Sequence, residues 1–333
     1  MNLRIIKAGV LDTVQDLGRY GWQHIGVNTG GAMDRLSAQV ANILVGNPRD
    51  EAVLELHFPA SSFFFEQAAL ISLSGADFSA TINGDEVPAL HPIVVSKFSI
   101  LQFHKANSGS RVYLAVQGGL DIEKRFDSCS TNLRAGMGGY KGRALQKDDE
   151  IRFNRPDKPC DLIGKKEFIV LPWQADINWH QDTGDEIYVL PGHEFSKLAA
   201  GERDYLLKET FTISSQSDRM GYHLKGRALA IASPFEIVSA GVSFGTVQLL
   251  PSGQLIILMA DHQTTGGYPR IAHVISAHHH KLAQMKPGDL LRLTLTDLAT
   301  AERLMVKQEQ HLLQLQHACN FRMQQYIDAN HGH

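Results

Sequence analysis

Almost every apolar run in this chain is short and stopped by a turn residue, and that punctuation limits the fold it can adopt. Phe63-Phe64-Phe65, Ala69-Leu70-Ile71-Ser72-Leu73, Phe78-Ser79-Ala80-Thr81-Ile82 and Ile93-Val94-Val95 are of strand length. Asn83-Gly84, lying among them, is a strong hairpin signal. Further strands are expected from Ser99 to Phe103, Arg111 to Val116, Glu167 to Leu171, Ile187 to Leu190, Ile237 to Val238, Gly245 to Leu249 and Leu290 to Leu295. Many short strands with frequent turns predict a mainly β chain of barrels or sandwiches, not a parallel βαβ sheet. Two helices break the pattern. Asp34 is placed to cap a short one whose face is Leu36, Val40, Ile43 and Leu44, and Gly46-Asn47-Pro48 stops it. A long one runs from about Asp297 to about Ala329, with Leu304, Leu312, Leu315, Cys319 and Met323 as its apolar stripe.

At roughly 100–200 residues per domain, a chain of 333 residues is expected to form two domains. The halves look related. Gly138-Gly139-Tyr140 precedes Ile151-Arg152-Phe153, and Gly266-Gly267-Tyr268 precedes Leu291-Arg292-Leu293, each time through an Asp-bearing turn. A boundary is expected near Asn154 to Gly164, which holds Pro156, Pro159 and several charges. The expected division is 1–155 as a β-barrel-type domain, 165–296 as a second barrel and 297–330 as the terminal helix.

A formal net charge of −3 offers no basic surface for nucleic acid or anionic membrane. The N-terminal apolar run is too short for a signal peptide, and no window approaches the roughly 20 apolar residues of a membrane span. Cys129, Cys160 and Cys319 form no paired motif. A soluble protein of the reducing cytoplasm is expected.

The densest polar stretch is Asp261-His262-Gln263-Thr264-Thr265-Gly266-Gly267-Tyr268-Pro269-Arg270, after the apolar run Leu255 to Met259. A strand ending in a polar, glycine-bearing loop is a common way to build a ligand site, because the strand fixes the loop and backbone N–H groups can approach the ligand. Asp12 to Gly21 packs acid, amide and guanidinium around two glycines, and Gly30-Gly31-Ala32-Met33-Asp34-Arg35 leads into the first helix. There Asp34 either caps the helix or joins an anion site. Ser217-Asp218-Arg219-Met220-Gly221-Tyr222 is a third cluster, in which Arg219 either meets a ligand anion or holds a loop. His278-His279-His280 is a contiguous run with poor ligand geometry and reads as a solvated surface segment, and residue spacing alone points to no metal-ligating set in this chain. His24 and His104 are expected to be structural, and His331 and His333 terminal.

These segments together resemble the family of 5-oxoprolinase C subunits, also described as allophanate-hydrolase-subunit-2-like or biotin-dependent carboxyltransferase domain-like. The resemblance rests on Thr13-Val14-Gln15-Asp16-Leu17-Gly18-Arg19, Gly31-Ala32-Met33-Asp34, Asn42 to Asn47, Leu54-Glu55, Val116-Gln117-Gly118-Gly119, Ser217 to Tyr222, Asp261 to Arg270 and Gln284 to Asp289. It implies two cyclophilin-like β-barrel domains. It also implies a subunit-B (allophanate hydrolase subunit 1-like) partner and a subunit-A protein, which together open 5-oxoproline to L-glutamate with ATP and Mg2+ acting at the level of the complex. Phosphoryl transfer of that kind needs cations and oriented donors around developing negative charge. Arg19 and Arg219 are the candidate cations. Asp16, Asp34 and Asp261 are candidates to hold magnesium or act as base. Gln15, Gly31, Gln263, Thr264, Thr265, Gly266, Gly267 and Tyr268 are candidates to bind substrate.

The chain departs from the family pattern in three places. Asn28-Thr29-Gly30-Gly31-Ala32 stands where relatives carry Pro-x-Ser-Gly-Ala, Asp127-Ser128-Cys129-Ser130-Thr131 where they carry Gly-Ser-x-Ser-Thr, and Ala277-His278-His279 where they carry Ala-Asp-Leu. Those changes leave two alternatives beside an amidohydrolase subunit that is inactive alone. One is a biotin-dependent carboxyltransferase acting on a urea-like amide, with biotin carried by another protein because no Ala-Met-Lys-Met sequence is present. The other is a regulatory module that antagonises an inhibitor of a sporulation kinase.

Overall fold

The computed structural model describes residues 2–154, 164, 166–177, 184–232 and 237–330. The chain forms two compact units, neither of them one unbroken stretch. The first comprises Met1–Gly18, Asp34–Trp179 and Glu309–His333, and the second Arg19–Met33 and His180–Gln308. Of the expected linker, residues 155–163 lie outside the described residues, as do Cys160, His331 and His333. Four α-helices are described: α1 (Arg35–Leu44), α2 (Ala200–Lys208), α3 (His279–Gln284) and α4 (Leu298–Asn330). Among the described residues no helix is long and apolar enough to cross a membrane.

The first unit is built on two antiparallel sheets. One runs Glu150–Arg152, Asn2–Lys7, Ser62–Phe65, Ile100–Phe103, Ala80–Ile82, Asp85–Glu86, and the other Phe168–Val170, Pro92–Val95, Ala69–Asp77, Ser108–Val116, Val53–His57, Thr13–Gln15. Period-two alternation sends Leu3, Ile5, Phe63 and Phe65 of one sheet and Leu54, Leu56, Val112 and Leu114 of the other into a shared core. The Asn83-Gly84 signal is realised as a two-residue turn. Both residues have positive φ, 52° and 97°, and Ile82 pairs with Asp85 across them. Helix α1 starts where Asp34 accepts bonds from Ser37 N (2.9 Å) and Ser37 Oγ (2.6 Å). Its apolar face meets Leu312 and Cys319 of α4 in a second, smaller core.

The second unit is a closed barrel of seven strands. Its order is Glu186–Pro191, Arg270–Val274, Thr246–Leu249, Leu255–Leu258, Gly221–Lys225, Thr210–Ile213 and Leu290–Leu295. Closure comes from one parallel pairing, Ile187 with Leu293. Ile187, Val189, Leu291 and Leu293 point into the barrel, and Arg292 between the last two points out. Closure removes exposed strand edges, so this unit needs little cover.

Several expectations require correction. Ile237 and Val238 are not strand; a two-stranded ribbon, Ala240–Gly241 with Thr265–Gly266, begins two residues later. Helices α2 and α3 interrupt what reads as β sequence, because each is short and carries no long apolar period. The Gly-Gly-Tyr recurrence is not matched by a shared strand order, two open sheets in one unit and a closed barrel in the other. The histidine run is not a solvated segment: His278 and His280 are buried, His278 Nδ1 accepts from Tyr188 N at 3.0 Å, and His279 packs on Phe244. One turn of 3-10 helix leading into α3 folds the run against the barrel, which a solvated reading overlooks.

Leu312 carries the α1–α4 contact and is 2% exposed. Leu312→Ala is expected to lower stability by about 2–5 kcal/mol, read as a reduced urea midpoint at an unchanged slope.

Candidate functional site

Within the second unit the turn before Gly221–Lys225 is shaped by Asp218, which accepts from Met220 N (2.7 Å) and Gly221 N (3.3 Å). The same turn is laced by backbone bonds to the end of the Leu255–Leu258 strand. Met259 N donates to Met220 O at 2.9 Å and Asp261 N to Arg219 O at 2.8 Å. This lacing brings the two side chains together. Arg219 Nε donates to Asp261 Oδ2 (2.8 Å) and Arg219 Nη2 to Asp261 Oδ1 (3.1 Å), a two-point pair between residues 5% and 9% exposed.

The Arg19–Met33 segment joins this pair. Arg219 Nη2 also donates to Gly31 O (2.7 Å), and Asn28 Nδ2 donates to Asp261 O (3.2 Å). Arg19 is fully buried, its backbone N bonded to Thr29 O at 2.6 Å. A Cβ on Gly30 would lie 3.2 Å from Arg19 Nη1 and 3.7 Å from Asp261 Oδ1, so both charged groups flank that glycine. The structure therefore gathers four predicted residues, Arg19, Gly31, Arg219 and Asp261, from three separate stretches of sequence.

From Asp261 the chain runs through the predicted ligand loop to Arg270. Gln263, Thr265, Gly267 and Tyr268 are exposed, and Thr264 and Gly266 half-buried. The loop is braced from below, with Val242 N donating to Thr264 O (3.2 Å) and the buried Gln248 Nε2 to Tyr268 O (3.3 Å). At its far end Arg270 is held by Glu194. Glu194 Oε2 accepts from Arg270 N (2.8 Å) and Nε (3.2 Å), and Oε1 accepts from Nη2 (3.0 Å). The loop thus hangs between two arginine–carboxylate pairs, the first buried and the second joining a half-buried Arg270 to a buried Glu194. Burial acts to raise the Glu194 carboxyl, but the bonds from Arg270 outweigh it and hold the group below its ordinary range.

Glu194 escapes sequence reading because Pro191-Gly192-His193-Glu194 looks like an ordinary turn. Beside it on the same barrel wall, Ser243 Oγ lies 3.3 Å from Thr246 Oγ1, which lies 3.2 Å from His273 Nδ1. Burial and the Arg270 charge lower the basicity of His273.

The remaining predicted residues fall in the first unit. Asp16 Oδ1 accepts from Gly18 N (2.8 Å), Ser128 Oγ (2.7 Å) and Ser130 Oγ (2.5 Å), and Oδ2 from Cys129 N (2.6 Å). Gln15 Nε2 donates to Thr13 Oγ1 (3.0 Å) and Thr131 O (3.3 Å). Together they strap residues 128–131 along the Thr13–Gln15 edge strand. Asp34 spends both carboxylate oxygens on Ser37. Tyr113, unremarked in the sequence, donates to the fully buried Glu55 (2.8 Å) and accepts from Asp34 N (2.8 Å). These carboxylates are engaged by protein donors, so their geometry is that of anchors and does not fit a magnesium site. Among the described residues no cluster of three His, Cys, Asp or Glu side chains is arranged to hold a metal.

Residues 25–295 match the family described as carboxyltransferase domain, subdomain A and B. The chain is similar to the 5-oxoprolinase C subunit of Haemophilus influenzae, 36% identical over 303 residues that cover 91% of this chain and 94% of the relative. It is also similar to the 5-oxoprolinase C subunit of Escherichia coli, 34% identical over 314 residues covering 94% and 97%. Among solved structures, the urea amidolyase of K. lactis superposes with a TM-score of 0.83 at 25% identity, over 94% of this chain but only 20% of that one.

Arg219→Ala and Asp261→Ala each leave a buried charge unpaired and are each expected to cost about 3–5 kcal/mol of stability. The double variant should cost less than their sum, a coupling that chemical denaturation of all four proteins measures. For Glu194, folding lowers the pKa, so its stabilisation is complete above the ordinary value of 4.5 and is lost as pH falls through and below it. The stability gap between wild type and Glu194→Gln should therefore shrink on acidification, in urea titrations at stepped pH.

Proposed function

We propose that this chain, which belongs to the carboxyltransferase domain family of subdomains A and B, is the C subunit of a 5-oxoprolinase. The observation that carries the reading is similarity along almost the whole length of both partners, 94% and 97% of two proteins bearing that name. The complex would open 5-oxoproline to L-glutamate with ATP hydrolysis, this chain acting in the cytoplasm with a subunit-B (allophanate hydrolase subunit 1-like) homologue and a subunit-A protein, and inactive alone.

The exposed loop suits a lactam. The ring offers one carbonyl acceptor, one N–H donor and a carboxylate. Gln263 can both donate and accept, Thr264 and Thr265 bring hydroxyls, and the exposed Gly267 backbone, just past the ribbon that Gly266 ends, brings an N–H without side-chain obstruction. Tyr268, 43% exposed, supplies a flat face beside them. Arg219 and Asp261 serve here as the frame of that loop, with Gly31 and the buried Arg19 completing it. ATP, when bound in the complex, supplies the phosphoryl group that activates the lactam. No step is assigned to Mg2+ on Asp16 or Asp34, whose oxygens are already taken up. Their part, with Gln15, is to stiffen the first unit.

A second reading is favoured by the superposition on K. lactis urea amidolyase. In it the same loop would present a urea-like amide to carboxybiotin delivered by another protein.

The test is ADP release with 5-oxoproline, for this chain alone and mixed with its subunit-B and subunit-A homologues. Turnover is expected only in the full mixture. Gln263→Ala with Thr265→Ala should raise KM about tenfold or more, as two hydrogen bonds worth about 1 kcal/mol each are lost. A folded complex that ignores 5-oxoproline but consumes urea with carboxybiotin would establish the second reading instead.

A further inference from the structure

Neither of the two posts that carry the loop is legible in the sequence as a pair, and the second depends on a residue that no motif marks, in the segment after the first barrel strand. Glu194 and Arg270 lie 76 positions apart and are tied at both backbone and side chain. Glu194 N donates to Arg270 O (3.1 Å), and the Glu194 carboxylate accepts from Arg270 N (2.8 Å) as well as from the guanidinium. A side-chain pair alone would let the backbone slide. The bond to Arg270 N fixes the residue itself, and with it the last step of the loop. The approach is so close that a Cβ on Gly192 would lie within 2.1 Å of Arg270 O, so position 192 requires glycine. Next to this post Leu249 N donates to Pro269 O (3.0 Å), and Gln248 holds Tyr268.

Glu194 is 5% exposed and is not part of the barrel's apolar core. Among the described residues, the hydrogen bonds that its carboxylate accepts come from Arg270, and His193 Nε2 lies 4.0 Å from Oε1. Removing its charge is therefore expected to loosen the loop while leaving Val247, Ile257, Leu291 and Leu293 packed.

We propose that Glu194 is the positioning residue that sets the register of the Gln263–Tyr268 loop against the amide of the substrate. It touches no substrate and acts through Arg270. The substrate clause rests on the 5-oxoprolinase reading; the positioning of the loop does not. Glu194→Gln keeps the shape but replaces one accepting oxygen with a donor, so the two-point pair is broken. Glu194→Asp keeps the charge on a shorter arm.

The experiment is hydrogen exchange by mass spectrometry on wild type, Glu194→Gln and Glu194→Asp, with 5-oxoproline kinetics of the assembled complex. In Glu194→Gln, amides of the 263–268 loop should exchange about tenfold faster, and those of Leu255–Leu258 at the wild-type rate. KM for 5-oxoproline should rise about tenfold with kcat within about twofold, the pattern of lost uniform binding. Glu194→Asp should lie between wild type and Glu194→Gln in both measures. Unchanged loop exchange in a folded Glu194→Gln protein would overturn the proposal, as would acceleration spread evenly over the barrel, which marks a general stability effect. A kcat loss at constant KM would do the same. If the wild-type complex turns over no 5-oxoproline, the substrate reading fails, while the exchange pattern still decides the role of Glu194.

Discussion

The Arg219–Asp261 pair is the interaction on which the second unit's candidate site depends. It joins the turn between two barrel strands to the start of the ligand loop, and through Gly31 it ties in a segment from near the N-terminus. Desolvating two charges is costly, and their mutual attraction offsets that cost only when geometry is good and the remaining donors are satisfied. The geometry here is good: two bonds link the groups, and a third donor is spent on Gly31 O. A hydrophobic pair of the same volume could pack as well, but it would not fix the direction in which the loop leaves the barrel.

That directional demand explains the layout of the loop. An exposed polar loop has no apolar core of its own, so its shape must come from its ends. Here each end is an arginine–carboxylate pair with low exposure, and the middle is braced by main-chain bonds and by Gln248. Order imposed from the posts lets Gln263, Thr265 and Tyr268 remain exposed without being disordered by their own solvation. Under the proposed function, substrate binding would then order fewer groups, which is what preorganisation means energetically. The first unit applies the same logic to a different end: Asp16 collects four donors to hold a strap over an edge strand, and nothing in that arrangement calls for a ligand.

Much of this was readable in the residues, for identifiable reasons. Period-two alternation and turn dipeptides foretold a mainly β chain, since both arise from local backbone geometry. The Asp34 cap and the long terminal helix were equally local. The loop from Asp261 to Arg270 stood out because its polar density is a property of contiguous sequence. What could not be read was pairing at a distance. Whether Arg219 met a ligand or an acid depended on a partner 42 positions away, and Glu194 met Arg270 across 76. The histidine run misled because adjacent histidines look solvated until one knows that a helical turn folds them against Tyr188 and Phe244. Asp16 and Asp34 shared the composition of the Asp261 cluster, and only their donors distinguish an anchor from a frame.

The measurement that bears most directly on this account is amide hydrogen exchange of the assembled complex with and without 5-oxoproline and ATP. Protection gained at residues 263–268 on adding the lactam, with the barrel strands unchanged, is the result the account requires. Protection appearing elsewhere in the complex, with those loop amides exchanging as freely as before, would contradict it.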